Sequence, residues 1–184
     1  MHFYELIILQ IKERDFIMNN YKIKKMTTTA LFMALTCIAT MIIKLPTPGT
    51  GGYVHLGDAF VILSGILLGP IYGAIAGGIG SALADLLGGY FIYVPITLLV
   101  KALIALGVGI IYHKFTKGLH NVIIKCILCG VYATVLVAGG YLFFESFMYG
   151  SAALASVPAN IGQGISGLVI STILLPILQR IQIN

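Results

Sequence analysis

The sequence predicts an all-α, polytopic membrane protein in which six helices form one bundle, and three observations predict it. Of 184 residues, 59% are hydrophobic and only 9% are charged, far below the roughly 25% charge of an ordinary soluble domain. Apolar stretches close to the roughly 20 residues that cross a bilayer recur along most of the chain. The basic residues stand in short clusters at the ends of those stretches, where membrane orientation is decided. A net charge of +5 would otherwise suggest nucleic acid, but with this placement no nucleic-acid partner is expected.

Residues 1–25 are expected to be a cytoplasmic N-terminal segment and residues 26–180 a single membrane domain. Residues 1–17 are polar and amphipathic, and read either as a surface helix or as an over-extended start with Met18 as the first residue. Lys22, Lys24 and Lys25 before an apolar run imitate a secretory signal, but no small-residue cleavage site follows before Lys44 and Pro46. The run is therefore a retained first helix, 26–44, carrying the small-xxx-small pair Ala30 and Ala34. From Pro46 to His55 the chain is rich in glycine and proline, which favours an irregular loop able to fold over a site as a lid. A plain flexible connection is the alternative.

Helices follow at 57–69 and 70–88. Gly69-Pro70 reads as a tight turn between them, because proline lacks an amide hydrogen and suits the first turn of a helix. One long kinked helix is the alternative, and charge parity decides against it. With six spans Lys22, Lys24, Lys25, Lys114, Lys117, Lys125 and Arg180 all lie on the cytoplasmic side, with both termini, and only Lys44 lies at an outer end. Five spans would put the 114–125 cluster outside. The second helix is too short to cross fully, so it should be buried or flanked by a re-entrant loop.

In the third helix Gly69, Gly73, Gly77 and Ser81 recur every four residues, a stripe suited to internal packing. No Gly-Lys-Ser/Thr follows, so these glycines are no phosphate loop and this chain is not expected to hydrolyse ATP. The remaining helices are expected at 91–112, 122–144 and 157–179, with outer connections at Gly88-Gly89-Tyr90 and from Glu145 to Ser156. Cys37, Cys126 and Cys129 all lie in apolar runs without the partners of a zinc site, so they are read as packing residues and no metal or cofactor is expected.

The informative residues are the few polar ones within apolar helices, since a charge at mid-bilayer costs roughly 2.5 to 3.5 kcal/mol. Lys101 is such a charge, and Tyr93 and Thr97 precede it at intervals of four, making one polar stripe. Asp85 closes the third helix; Tyr141 and Glu145 share a face of the fifth; Asn160 and Gln163 share one of the sixth; His55 and Asp58 stand at the start of the second. All except Lys101 fall in the outer half, and convergent polar groups in an apolar bundle mark a ligand site. Structural readings stand beside this one. Asp58 is placed to cap its helix, Lys101 to form a buried pair with Asp85 or Glu145, the tyrosines to form an interfacial belt, and Asn160 and Gln163 to bond neighbouring helices. No catalytic residues are assigned, because no spacing compels a nucleophile with its base. The alternative function is a membrane-embedded enzyme acting on a lipid-like substrate.

Four segments carry a resemblance: His55-Leu56-Gly57-Asp58; Leu68-Gly69-Pro70 with Gly73; Gly77 to Leu87; and Tyr93-Val94-Pro95-Ile96-Thr97-Leu98-Leu99-Val100-Lys101. Over about residues 20–180 the chain resembles the substrate-binding S component of energy-coupling factor (ECF) vitamin transporters, nearest to the group linked with riboflavin, pyridoxine and hydroxymethylpyrimidine. The resemblance implies a subunit in the cell membrane that captures a small vitamin or precursor from outside, beneath lids formed by its outer loops. It also implies docking onto a transmembrane coupling (T) subunit bound to two ATPases, and toppling in the lipid to release substrate inside. Pyridoxine or hydroxymethylpyrimidine is favoured, riboflavin next. On that pattern Ala30 and Ala34 face the coupling subunit, and His55, Tyr93, Thr97, Lys101, Tyr141, Glu145, Asn160 and Gln163 are the matching site positions. Residues 1–17 are not required by it.

Overall fold

The computed structural model describes the backbone of residues 2–183 and the side chains of residue 18 and residues 20–180. The expected amphipathic face of residues 1–17 lies outside the described side chains. Helix α1 runs His2–Ile42, followed by a two-stranded antiparallel hairpin, β1 Leu45–Pro46 and β2 Tyr53–Val54. Helices α2 (Asp58–Leu68), α3 (Pro70–Gly88), α4 (Val94–Ile110), α5 (Val122–Tyr149) and α6 (Val157–Ile183) complete an all-α bundle. Among the described residues, four stretches are long and apolar enough to cross a membrane: Asn20–Ile42, Pro70–Gly88, Val94–Phe115 and Val122–Arg180, the last containing both α5 and α6.

Helix α1 continues through residue 25, so a division there rests on charge alone and not on a break in the backbone. Between α2 and α3 the chain turns at Gly69, whose φ of 82° is a conformation that favours glycine, and Pro70 opens α3. This is the tight turn and not a kinked helix. Two expectations are corrected. The first loop is not wholly irregular, since Leu45 pairs with Val54 and Pro46 with Tyr53. The stretch from Glu145 to Ser156 is not a loop: α5 carries on to Tyr149, Gly150 turns the chain at a φ of 57°, and a 3₁₀ segment Gly150–Ser156 leads into α6. Glu145 and Ser146 interrupt the apolar run, but helical hydrogen bonding continues past them.

At 11 residues, α2 is about 16 Å long, well short of the roughly 30 Å hydrocarbon layer. It sits in the middle of the bundle, packed by α1, α3, α4 and α6, with Ala59, Val61, Ile62 and Leu63 fully buried. The glycine stripe makes that placement possible. A Cβ on Gly73 would come within 2.6 Å of Gly65 Cα, one on Gly78 within 2.9 Å of Ala102 Cβ, and one on Gly80 within 2.5 Å of the Met33 carbonyl oxygen. Gly73 and Gly77 of the stripe therefore pack α3 internally against α2 and α4, and Gly78 and Gly80 beside it bring α3 against α4 and α1. Large apolar side chains such as Ile38, Ile71, Leu99, Val135 and Ile173 face outward, as lipid-facing positions should. Ala30 and Ala34 are also exposed.

The two ends of the bundle differ chemically. Lys25 lies over the Tyr72 ring and Lys125 over the Tyr112 ring, while Gln179 bonds the Tyr112 hydroxyl, which gathers α1 near Lys25, the starts of α3 and α5, the segment just after α4 and the end of α6 at one basic end. At the other, the hairpin end, Lys44 lies over the rings of Tyr53 and Tyr90.

A polar hollow beneath the hairpin

The hairpin delivers His55 and then Gly57 into the start of α2, and the first buried carboxylate, Asp58, follows at once. Asp58 does not cap its helix. Gly57 holds the cap position without a side-chain hydrogen bond, and the carboxylate turns instead towards α4, where Lys101 Nζ donates to Asp58 Oδ1 at 2.5 Å. Neither side chain is more than 2% exposed. The expected partners of Lys101, Asp85 and Glu145, are thus replaced by Asp58, because the short α2 starts deep in the bundle beside α4. Gln163 of α6 completes the arrangement: its Nε2 donates to Asp58 Oδ2 at 3.0 Å and its Oε1 accepts the His55 backbone N–H at 2.9 Å. Only that orientation of the amide suits both neighbours, one an acceptor and the other a donor. Asp58, Lys101 and Gln163 are therefore a closed, satisfied group, with Lys101 also 5.2 Å from the centre of the Tyr141 ring.

Next to this group lies a hollow lined by Thr47, Gly52, Tyr53, His55, Asp85, Tyr93, Thr97, Tyr141, Glu145 and Asn160. Seven of the ten side chains singled out in the sequence meet there; Asp58, Lys101 and Gln163 do not line it. The hollow has room for roughly one water, about 10 Å³. The side chains have closed on one another. Tyr93 donates to Glu145 Oε1 at 3.0 Å and Ser156 to Glu145 Oε2 at 2.5 Å, while Asn160 Nδ2 reaches Ser156 Oγ at 3.4 Å. Thr97 and Tyr141 share a hydrogen bond of 2.9 Å. At 4% and 8% exposure, Tyr93 and Tyr141 are buried in the wall of the hollow and do not form an interfacial belt.

Tyr53 closes the opposite wall, donating to Asp85 Oδ1 at 2.6 Å. Burial and that hydrogen bond push its phenol pKa up, so it remains a donor. Asp85 Oδ2 has no partner, and neither do the buried hydroxyls of Thr40 and Ser81. His55 is uncharged: burial first, and the Lys101 ammonium second, hold its pKa down to about 3. Its Nδ1 accepts the Gly57 N–H at 3.0 Å, which leaves the ring hydrogen on Nε2.

Thr47, Gly52 and Tyr53 were not singled out individually. A signal existed for Tyr53. Side chains two apart on a strand share a face, and the rings of Tyr53 and His55 stand 5.6 Å apart.

A family model described as ECF-type riboflavin transporter, S component, matches residues 20–180. An uncharacterized protein in a gap 3′ region of Pyrococcus woesei is 34% identical over 72% of this chain and 86% of its own length. The thiamine precursor transporter HmpT of Lactococcus lactis subsp. cremoris (strain MG1363) is 29% identical over 89% of this chain and 93% of its own. Among solved structures, the biotin S component of an ECF-type ABC transporter superposes with a TM-score of 0.64 at 21% identity, covering 88% of this chain and 94% of that one. The last likeness concerns the fold. The matched family and HmpT are transport components and not enzymes, so the alternative of a lipid-modifying enzyme has no support.

Proposed function

Since the chain belongs to the S-component family of ECF-type riboflavin transporters, we propose that it captures a small vitamin or vitamin precursor from outside the cell and hands it to partner subunits for ATP-driven uptake. One observation carries this reading: nine polar side chains from the hairpin, α3, α4, α5 and α6 converge on a single hollow in an otherwise apolar bundle. Pyridoxine or hydroxymethylpyrimidine is the favoured ligand, with riboflavin next, in keeping with what HmpT is named for. Tyr93 and Tyr141 supply ring faces, and His55, Asp85, Thr97, Glu145 and Asn160 supply hydrogen-bonding atoms. Asp58, Lys101 and Gln163 hold the floor and bind indirectly.

In this reading the chain crosses the membrane six times with both termini in the cytoplasm, residues 26–180 forming the membrane domain. The segregation of Lys22, Lys24, Lys25, Lys114, Lys117, Lys125 and Arg180 from Lys44 supports that orientation. The hairpin end then faces outward. The exposed Ala30 and Ala34 offer a close-packing strip to a T subunit, which would join the chain to two ATPases. The closed hollow must widen to admit a ring. Mass spectrometry of the small molecule that co-purifies with the detergent-extracted chain tests the proposal. A stoichiometric vitamin-like heterocycle is expected, whereas a chain that retains no such compound and binds none in titration refutes it.

A further inference from the structure

The basic end of the bundle holds a second and roomier space. A cleft of about 510 Å³ lies between α1 and the turn that joins α2 to α3, within the size range of small-molecule sites. Tyr21, Lys24, Lys25 and Thr28 form one wall; spaced by three and four residues, they share a single face of α1. Leu67, Leu68 and Ile71 make the opposite wall apolar, with Tyr72 beside them. His113 completes the lining, its Nε2 hydrogen committed to the Ile66 carbonyl at 2.8 Å.

Charge and depth together say what fills such a cleft. No carboxylate lines it, and among the described residues the acids Asp58, Asp85 and Glu145 all lie in or beneath the hollow at the hairpin end. Lys25 stands 4.4 Å from the centre of the Tyr72 ring; a ring face takes one side of an ammonium and leaves N–H donors for an anion. From Lys25 to the end of α1 at Ile42 is about 26 Å, close to the thickness of the hydrocarbon layer. The two lysines therefore stand at the level of the lipid headgroups, flanked by tyrosines as interfacial positions are. A soluble anion gains nothing from the apolar wall, where Ile71 is 66% exposed, whereas a lipid uses both walls. The cleft holds little more than one turn of a helix about 10 Å across, so it fits a headgroup better than a protein segment.

We propose that this cleft binds an anionic phospholipid of the adjoining leaflet, its phosphate held by Lys24 and Lys25 and the upper part of its chains lying along Leu67, Leu68 and Ile71. On the orientation proposed above this is the cytoplasmic leaflet. The lipid bridges α1 and the α2–α3 turn at the end of the bundle opposite the hollow.

Native mass spectrometry of the detergent-purified full-length chain, titrated with phosphatidylglycerol and phosphatidylcholine of matched chains, tests this. A lysine close to an anionic headgroup is worth about fivefold, so phosphatidylglycerol should bind about 10- to 30-fold more tightly. Lys24→Gln with Lys25→Gln should abolish that preference; Lys114→Gln with Lys117→Gln, at the same end but outside the cleft, should keep most of it. Equal binding of the two lipids by the wild-type chain overturns the proposal. So does an equal loss in the Lys114 and Lys117 variant, which reduces the effect to general surface charge. Displacement of the lipid by millimolar inorganic phosphate assigns the cleft to a soluble anion, and a preference that survives the paired Lys24 and Lys25 change while co-purification with a T subunit is lost assigns it to protein docking; either result refutes lipid binding here. If the paired variant does not fold, Lys24→Gln alone decides, with about a fivefold loss of preference expected and no loss refuting. None of these outcomes bears on vitamin capture, which is read from the other end.

Discussion

Replacing Lys101 by methionine tests how the site is built. The substitution removes the ammonium but keeps most of the side-chain volume, and it leaves the Asp58 carboxylate in the bundle centre with Gln163 Nε2 as its remaining hydrogen-bond donor. Both side chains are nearly inaccessible to water, so the loss falls in the range for breaking a buried pair, about 3–5 kcal/mol. For a chain of this size about 2–4 °C accompanies each kcal/mol, so the melting temperature in detergent should fall by about 6–20 °C. Adding Asp58→Asn removes the stranded charge and keeps an oxygen for Gln163. The double variant should recover to within about 1–2 kcal/mol of wild type, because replacing both members of a buried pair is far milder than removing one. Its ligand affinity should stay within about tenfold of wild type, about 1.4 kcal/mol, since neither residue lines the hollow. Fluorescence-monitored melting and titration of the three proteins supply the measurements. A single variant as stable as wild type, or a double variant no better than the single, would refute the closed-group account.

Three further outcomes are expected. Folding lowers the His55 pKa from its ordinary 6.5 to about 3, so the unfolded chain takes up the extra proton between those values. Its contribution is complete above pH 6.5 and is lost as pH falls towards 3, amounting to about 2 kcal/mol by pH 5; melting curves at the two pH values check this, and His55→Gln should flatten the difference. Gly73→Val should destabilise the bundle by about 1–3 kcal/mol or more, because the space a side chain would enter is already held by Gly65 and Ser64 backbone; loss of a monodisperse peak in size-exclusion chromatography is the readout. Ala30→Leu with Ala34→Leu should spare titrated ligand affinity yet reduce co-purification with a T subunit, since both positions are exposed and far along α1 from the hairpin.

The sequence carried the bundle and most of the hollow, and lost the details that depend on depth. Tyr93 and Thr97 could be placed on one stripe because α4 is regular, and Tyr141 with Glu145 because α5 is. The partner of Lys101 was not legible. Asp58 lies 43 positions away, and which helix start is sunk in the bundle is set by how the glycines of α3 let α2 approach. The end of α5 was misread because hydropathy falls at Glu145 and Ser146 while backbone hydrogen bonds continue to Gly150. Tyr53 went unmarked because two residues of strand are too few to announce a period.

The tether from Gln163 to the backbone at His55 bears on how a solute gets in. It pins the trailing root of the hairpin to α6, while the tip holds itself together through Thr47 N–H to the Gly52 carbonyl and the Thr47 and Thr50 hydroxyls, and rests on Ala152 and Ala155 at Gly49. On the capture reading, opening at this end asks least of residues 47–52, which can lift about that root without breaking the Lys101–Asp58 pair beneath.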